Sequence, residues 1–241
     1  MHDVYEQLAL HLSTLSMGLP YREELFEILR EHLTPTEAKV LLMLPTKVAP
    51  LQPVGVDEIA SKVDIPKEKL GEILEGLSER GLLFSGKTKE GEKGYALQQV
   101  GFGFPQTFFW KGEDTPHAIH MANLIAKYFN RQVMVEAYGS SETKPSRYIP
   151  VGGTIDHAIQ AVFPYHTMGR VIEQAKVFAV AHCPCRVTMQ LRGKGCDHPL
   201  EVCMKFDDMA EYLIERGLGR EITGEEALDV IRKSEEAGLV G

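Results

Sequence analysis

The chain has no run of about 18 apolar residues, so it offers no membrane-spanning helix and no membrane insertion is expected. Its opening stretch, MHDVYEQLALHLSTLSMG, lacks the basic segment, apolar core and cleavage site of a secretory leader and reads as an amphipathic helix. These absences point to a cytoplasmic protein. The sequence also shows no P-loop, no nucleophile–base pair, no internal repeat and no low-complexity tract. Positive charge is in deficit: 26 Lys and Arg stand against 34 Asp and Glu. A net charge of -8 argues against broad binding to nucleic acid or to an anionic membrane. Cysteine is scarcer still. There are 4, all between residues 183 and 203. In a chain expected to be cytoplasmic, so few thiols packed so closely favour metal binding or redox work over a disulfide scaffold.

The rest of the chain is rich in helix signals. Val4, Leu8, Leu12 and Leu15 recur on one face, and Gly18 and Pro20 end that helix. A second helix is predicted from about Tyr21 to Leu33, with Leu25, Ile28 and Leu29 inward. Thr34, Pro35 and Glu37 form a capping-box signature, and Pro45 closes the helix they open. VDEIASKV reads as a short helix, and a longer one runs from Pro66 to Gly81. LLFSGKTKEGEKGYALQQ then reads as two strands around a Gly- and Lys-containing turn. In element order and apolar pattern, Thr34–Gln99 resembles the winged helix-turn-helix superfamily, with Lys67–Arg80 at the recognition helix and Ser85–Gly94 at the wing. Yet Thr34–Val100 carries nine Lys and Arg against ten Asp and Glu. The candidate helix presents no Asn or Gln to read adenine, and no Arg in its first turns to read guanine. Dimerisation or partner docking is therefore expected of this region before operator binding.

Residues 101–135 are aromatic-rich, and a helix is predicted from about Pro116 to Asn130. Phe108, Phe109 and Trp110 read as core or interface. His117 and His120 lie one turn apart on that helix, where they could form a metal pair or line a cofactor pocket; with no carboxylate pattern beside them they read first as surface or interface histidines. The polar stretch 138–147 is the linker candidate. After it come a strand near 147–151, a Gly-Gly turn at 151–156, a helix near 164–175, the strand KVFAVAHC and a helix from about Asp207 to Arg216. A last helix is capped by Thr223 and Glu226. The expected fold class is α+β: a helical and winged-helix region over 1–100, an aromatic-rich connector over 101–146, and a small α+β domain over 147–241.

The candidate ligands are Cys183, Cys185, Cys196 and Cys203, in a C-x-C-x10-C-x6-C spacing. A Cys183–Cys185 disulfide would be strained. Four thiolates can close a tetrahedral zinc site, although structural zinc favours shorter gaps within a knuckle. An iron–sulfur cubane binds its thiolates at separate irons and tolerates wider spacing. Buried, inert thiols are the remaining reading. Pro184 stiffens the turn, and Cys185 falls at the start of a predicted short helix whose amides favour negative charge. Between His182 and Phe206 the basic residues Arg186, Arg192, Lys194 and Lys205 outnumber the acidic Asp197 and Glu201. His182, Arg186, Lys194 and His198 are the candidates for contact with cluster sulfur around the ligands.

The segments VFAVAHCPCR, GKGCDHPLEVC and GREITGEEALDVIRKSEEAGLV resemble a group of 4Fe-4S ferredoxin-type proteins of anaerobic bacteria and archaea. In that group a winged-helix-like region precedes a C-x-C…C…C segment. The resemblance implies one [4Fe-4S] cluster on Cys183, Cys185, Cys196 and Cys203, and electron transfer with a redox protein partner in anaerobic metabolism. Longer members continue into further cysteine-rich modules, which this sequence does not contain. A homodimer through the winged-helix region and N-terminal helices is a second expected association. The competing expectations are a redox- or oxygen-responsive transcription regulator, a structural zinc protein, and an enzyme binding substrate at an open iron.

Overall fold

The computed structural model describes residues 3–101, 103–139 and 168–239. The strand expected near 147–151, the turn at 151–156 and most of the polar stretch 138–147 lie outside them. The described chain is mixed α+β with two small antiparallel sheets. It divides into two compact units: residues 1–108 with 115–145, and residues 109–114 with 146–241. No helix among the described residues is long and apolar enough to cross a membrane.

The first unit opens with α1 (Val4–Leu12), whose N-cap Asp3 accepts from the amides of Tyr5 and Glu6. Its inward face buries Leu8 and Leu12, and Leu15 is buried just beyond it. Helix α2 (Glu23–His32) buries Leu25, Ile28 and Leu29, as its 3.6-residue period requires. Helix α3 (Pro35–Leu41) begins at the full Thr34–Glu37 capping box, with Pro35 in the first turn, where a missing amide costs nothing. Next come β1 (Val54–Gly55), α4 (Val56–Ala60) and α5 (Lys67–Glu79). Leu70, Leu74 and Leu77 make the buried stripe of α5. Strands β2 (Leu83–Lys87) and β3 (Lys93–Leu97) pair from Leu83↔Leu97 to Lys87↔Lys93, and β1 adds to the far edge of β3. The hydroxyls of Ser78 and Ser85, both buried, meet at 3.0 Å and tie α5 to β2.

The unit closes with α6 (Pro116–Tyr128) and α7 (Arg131–Gly139). Tyr128 is buried on α6, and its hydroxyl donates to the Pro20 carbonyl at 2.7 Å. His32, at the end of α2, packs on the Phe108 ring and brings Nε2 to 3.2 Å from Met121 Sδ. Burial pushes the His32 pKa down to about 4, so this imidazole is neutral at ordinary pH.

The second unit is built on a three-stranded sheet with β4 (Phe178–His182) at its centre, between β5 (Glu201–Phe206) and β6 (Arg220–Ile222). One face packs Val180, Met204 and Phe206 against Ile172 of α8 (Met168–Gln174) and Ala227 and Ile231 of α11 (Gly224–Glu236). Strand alternation sends Ala179, Ala181, Cys203 and Lys205 to the other face. Helix α9 (Pro184–Leu191) leaves the end of β4, and α10 (Asp207–Glu215) follows β5 directly. Asp207 makes that join at φ 47°, and its Oδ1 accepts from the Lys176 amide at 2.8 Å. Thr223 and Glu226 complete the second capping box at the start of α11.

Candidate functional site

Strand β4 ends one residue before Cys183, and the chain turns there into α9. Cys183 is the N-cap of that helix, followed by Pro184 and Cys185 in its first turn. Extended backbone at the cap and a proline at the first position are what the sequence Cys-Pro-Cys favours locally. Cys203 lies on β5, directly opposite Ala181. Three of the four thiols thus flank one corner, where β4 passes into α9 beside β5.

The corner is tied together by backbone. The Cys183 amide donates to the Leu200 carbonyl at 2.7 Å, and the amides of Arg186 and Val187 donate back to the Cys183 carbonyl. The Arg186 guanidinium donates to the Pro199 carbonyl. Gly193, at φ 68°, turns the chain after α9, and the Lys194 amide returns to the Met189 carbonyl. The loop that carries Cys196 therefore folds back on the helix bearing Cys183 and Cys185.

The four cysteines are free thiols; Cys185 and Cys196 are exposed, and Cys183 and Cys203 are half-buried. Cys183 and Cys185 act as a pair. A hydrogen bond from the Cys185 thiol lowers the Cys183 pKa, helped by the Arg186 amide and the Arg186 charge. The same hydrogen bond, with the nearby Cys183 and Cys203 sulfurs, raises that of Cys185. The two shifts are opposite in direction, with negative charge favoured at the helix cap. Among the described residues no hydrogen bond joins the Cys196 thiol to the other three. No three of the four sulfurs lie within 4.8 Å of one another, so they are not gathered at the spacing of a single ion.

The neighbours bring further groups. The His182 amide donates to the Trp110 carbonyl at 3.0 Å, and Nδ1 of the same residue lies 3.2 Å from that carbonyl. A carbonyl only accepts, so Nδ1 carries the proton, and Nε2 is a donor only in the imidazolium form. Lys205 sits over the Trp110 ring, 5.8 Å from its centroid. The Trp110 side chain is buried, and its Nε1 has no hydrogen-bond partner among the described residues. Sequence reasoning assigned Trp110 to the core and missed this link to the cysteine corner, because 72 residues separate it from His182. His198 and Lys194 both lie on the exposed loop after α9.

A second gathering of ligand-type side chains, Glu31, His32 and His117, lies in the first unit. Comparison of the chain with protein-family models, with curated proteins and with solved structures finds no match.

Proposed function

We propose that the second unit holds one [4Fe-4S] cluster through Cys183, Cys185, Cys196 and Cys203 and exchanges single electrons with a protein partner. The observation that carries this reading is the junction of β4, α9 and β5. It presents Cys183 and Cys185 on a helix N-terminus beside Cys203, with none of the three in a disulfide. The donor set is chemically right: four thiols, one of them at the helix cap where thiolate is favoured, with Arg186 and Lys205 on the same unit. A four-thiolate zinc site needs sulfurs about 3.8 Å apart, given Zn–S bonds of about 2.3 Å. These sulfurs are not gathered three together within 4.8 Å, which argues against a preformed zinc site of that kind. When bound, such a cluster supplies reversible one-electron chemistry. The chain's own part is to hold the thiolates, offset their charge with Arg186, Arg192, Lys194 and Lys205, and anchor the Cys196 loop through the Pro199 and Leu200 carbonyls.

We read α3 to β3 as a winged helix that docks a protein rather than DNA. Its order of elements supports the winged helix, and its charges oppose phosphate binding. Lys67 is paired with Asp57 at 2.5 Å, Lys93 with Glu75 at 2.7 Å, and Arg80 with Glu37. Cations committed to internal carboxylates release fewer counterions from a duplex.

Anaerobic purification with iron, zinc and acid-labile sulfide analysis tests the cluster, followed by EPR of the reduced sample. The expected result is about four iron and four sulfide per chain and a reducible signal. Zinc without sulfide, or an iron-replete sample with no reducible signal, overturns the electron-transfer reading. A low-salt gel-shift comparison of cluster-loaded and cluster-free protein separates the rival regulator; retardation that depends on the cluster would favour it.

A further inference from the structure

Glu31, near the end of α2, turns its carboxylate toward two imidazoles of α6. Its Oε1 lies 3.7 Å from His117 Nδ1, and its Oε2 lies 3.0 Å from His120 Nε2. His117 and His120 are three residues apart, the helical spacing that puts two side chains on one face. His32 completes the group from α2, its ring 5.6 Å from that of His117 and set edge-on to it. One ligand atom from each of Glu31, His32 and His117 lies within 4.8 Å of the other two.

We infer that Glu31, His32 and His117 form a site for a single first-row divalent ion such as Zn2+, with His120 as a fourth ligand from the same face of α6. Bonds of about 2.0–2.1 Å at tetrahedral angles hold N and O ligands about 3.3–3.4 Å apart. The Glu31–His117 separation is a few tenths of an ångström wider, and the Glu31–His120 separation is narrower. The donor chemistry suits the ion: imidazole and carboxylate together favour zinc, cobalt and nickel over the oxygen-seeking magnesium and calcium.

The site is open to solvent, since the His117 and His120 side chains are 61% and 59% exposed. Two second contacts fix it. His32 Nε2 is turned to Met121 Sδ on α6, which orients the ring. Arg80, whose guanidinium reaches the His32 carbonyl at 2.8 Å, is offset by Glu37 and so brings little net positive charge to the ion. An ion here staples α2 to α6 within the first unit. It is independent of the cysteines, which belong to the other unit.

The test is a Zn2+ titration of the full-length protein, followed by the side-chain NMR signals of His117 and His120, alongside His117→Ala/His120→Ala and Glu31→Gln. Both histidines are exposed, so the variants keep the fold, which circular dichroism checks. Expected are saturable shifts of both imidazoles at one equivalent beyond that taken up by the thiols. The double histidine variant loses that equivalent, and Glu31→Gln weakens binding by roughly 10–100-fold. Co2+ in place of Zn2+ should add absorption without a thiolate-to-metal charge-transfer band. Unmoved imidazole signals at saturating Zn2+, or an unchanged stoichiometry in the double variant, would overturn the site and leave only a hydrogen-bonded surface cluster.

Discussion

Gly112 lies against the ring of His182 so closely that a Cβ on it would stand 2.6 Å from His182 Cδ2. Its φ of +66° is also one that a side chain disfavours. The two restraints act together at the point where residues 109–114 join the second unit. Gly112→Ala is expected to destabilise that unit by about 1–3 kcal/mol and to displace His182 from the Trp110 carbonyl. Urea unfolding followed through Trp110, the single tryptophan of the chain, measures the cost. An unchanged midpoint would mean that the backbone there is free to move aside.

The capping box of α11 carries a pH dependence. Glu226 Oε2 accepts from the Thr223 amide at 2.8 Å, and the Thr223 hydroxyl accepts from the Glu226 amide at 3.1 Å. The backbone hydrogen bond, aided by the charge of Arg220, holds the Glu226 carboxyl below its usual range. A lowered carboxyl pKa stabilises the folded state above the ordinary carboxyl range, and the contribution is lost as pH falls through the lowered value. Protection of the α11 amides from hydrogen exchange should therefore drop on acidification in the wild type, and less so in Glu226→Gln. Thr223→Ala should cost about 1 kcal/mol at neutral pH. Equal acid sensitivity in wild type and Glu226→Gln would remove the carboxylate from the account.

Both capping boxes could be read from sequence, because a cap is a local device: Thr34 with Glu37, and Thr223 with Glu226, complete their hydrogen bonds within four residues. The buried stripes of α1 and α2 were legible for the same reason. What escaped was short or long-range. Strand β1 has two residues and β6 three, too few for a period to show. The alternation in EVCMKF was hidden by its cysteine, which drew the segment into a ligand loop instead of β5. Helix α7 runs to Gly139, into a stretch whose Gly, Ser and Pro read as linker. The approach of Glu31 to His117 and His120 joins residues almost 90 positions apart, and no local pattern encodes it. At the cysteine corner the thiols were evident, whereas Trp110 and Gly112 were not.

The ligand set can be divided by single replacement. Cys183 and Cys203 are half-buried on the cap and the strand, while Cys196 is exposed on its loop. If all four hold the proposed cluster, serine at any one of Cys183, Cys185, Cys196 or Cys203 should reduce iron content well below that of the unsubstituted chain. Iron analysis after anaerobic reconstitution reads this directly. Full iron and sulfide in Cys196→Ser would assign the fourth position to another group and favour an open iron able to take a substrate.

The lone tryptophan supplies an optical test of the same corner. Trp110 is 1% exposed, lies under Lys205, and shares the second unit with all four cysteines. A buried indole emits at short wavelength, and an iron–sulfur chromophore nearby absorbs across that band and drains its excitation. Reconstitution should therefore quench Trp110 emission strongly, and chelation of the iron should restore it without a red shift, since the indole stays buried. Lys205→Met should keep the quenching while removing the cation from the ring. Cys203→Ser, if it cannot assemble the cluster, should emit like the metal-free protein under both conditions. Emission that does not respond to cluster assembly would place the chromophore far from Trp110, and the corner formed by β4, α9 and β5 would then lose its standing as the cluster site.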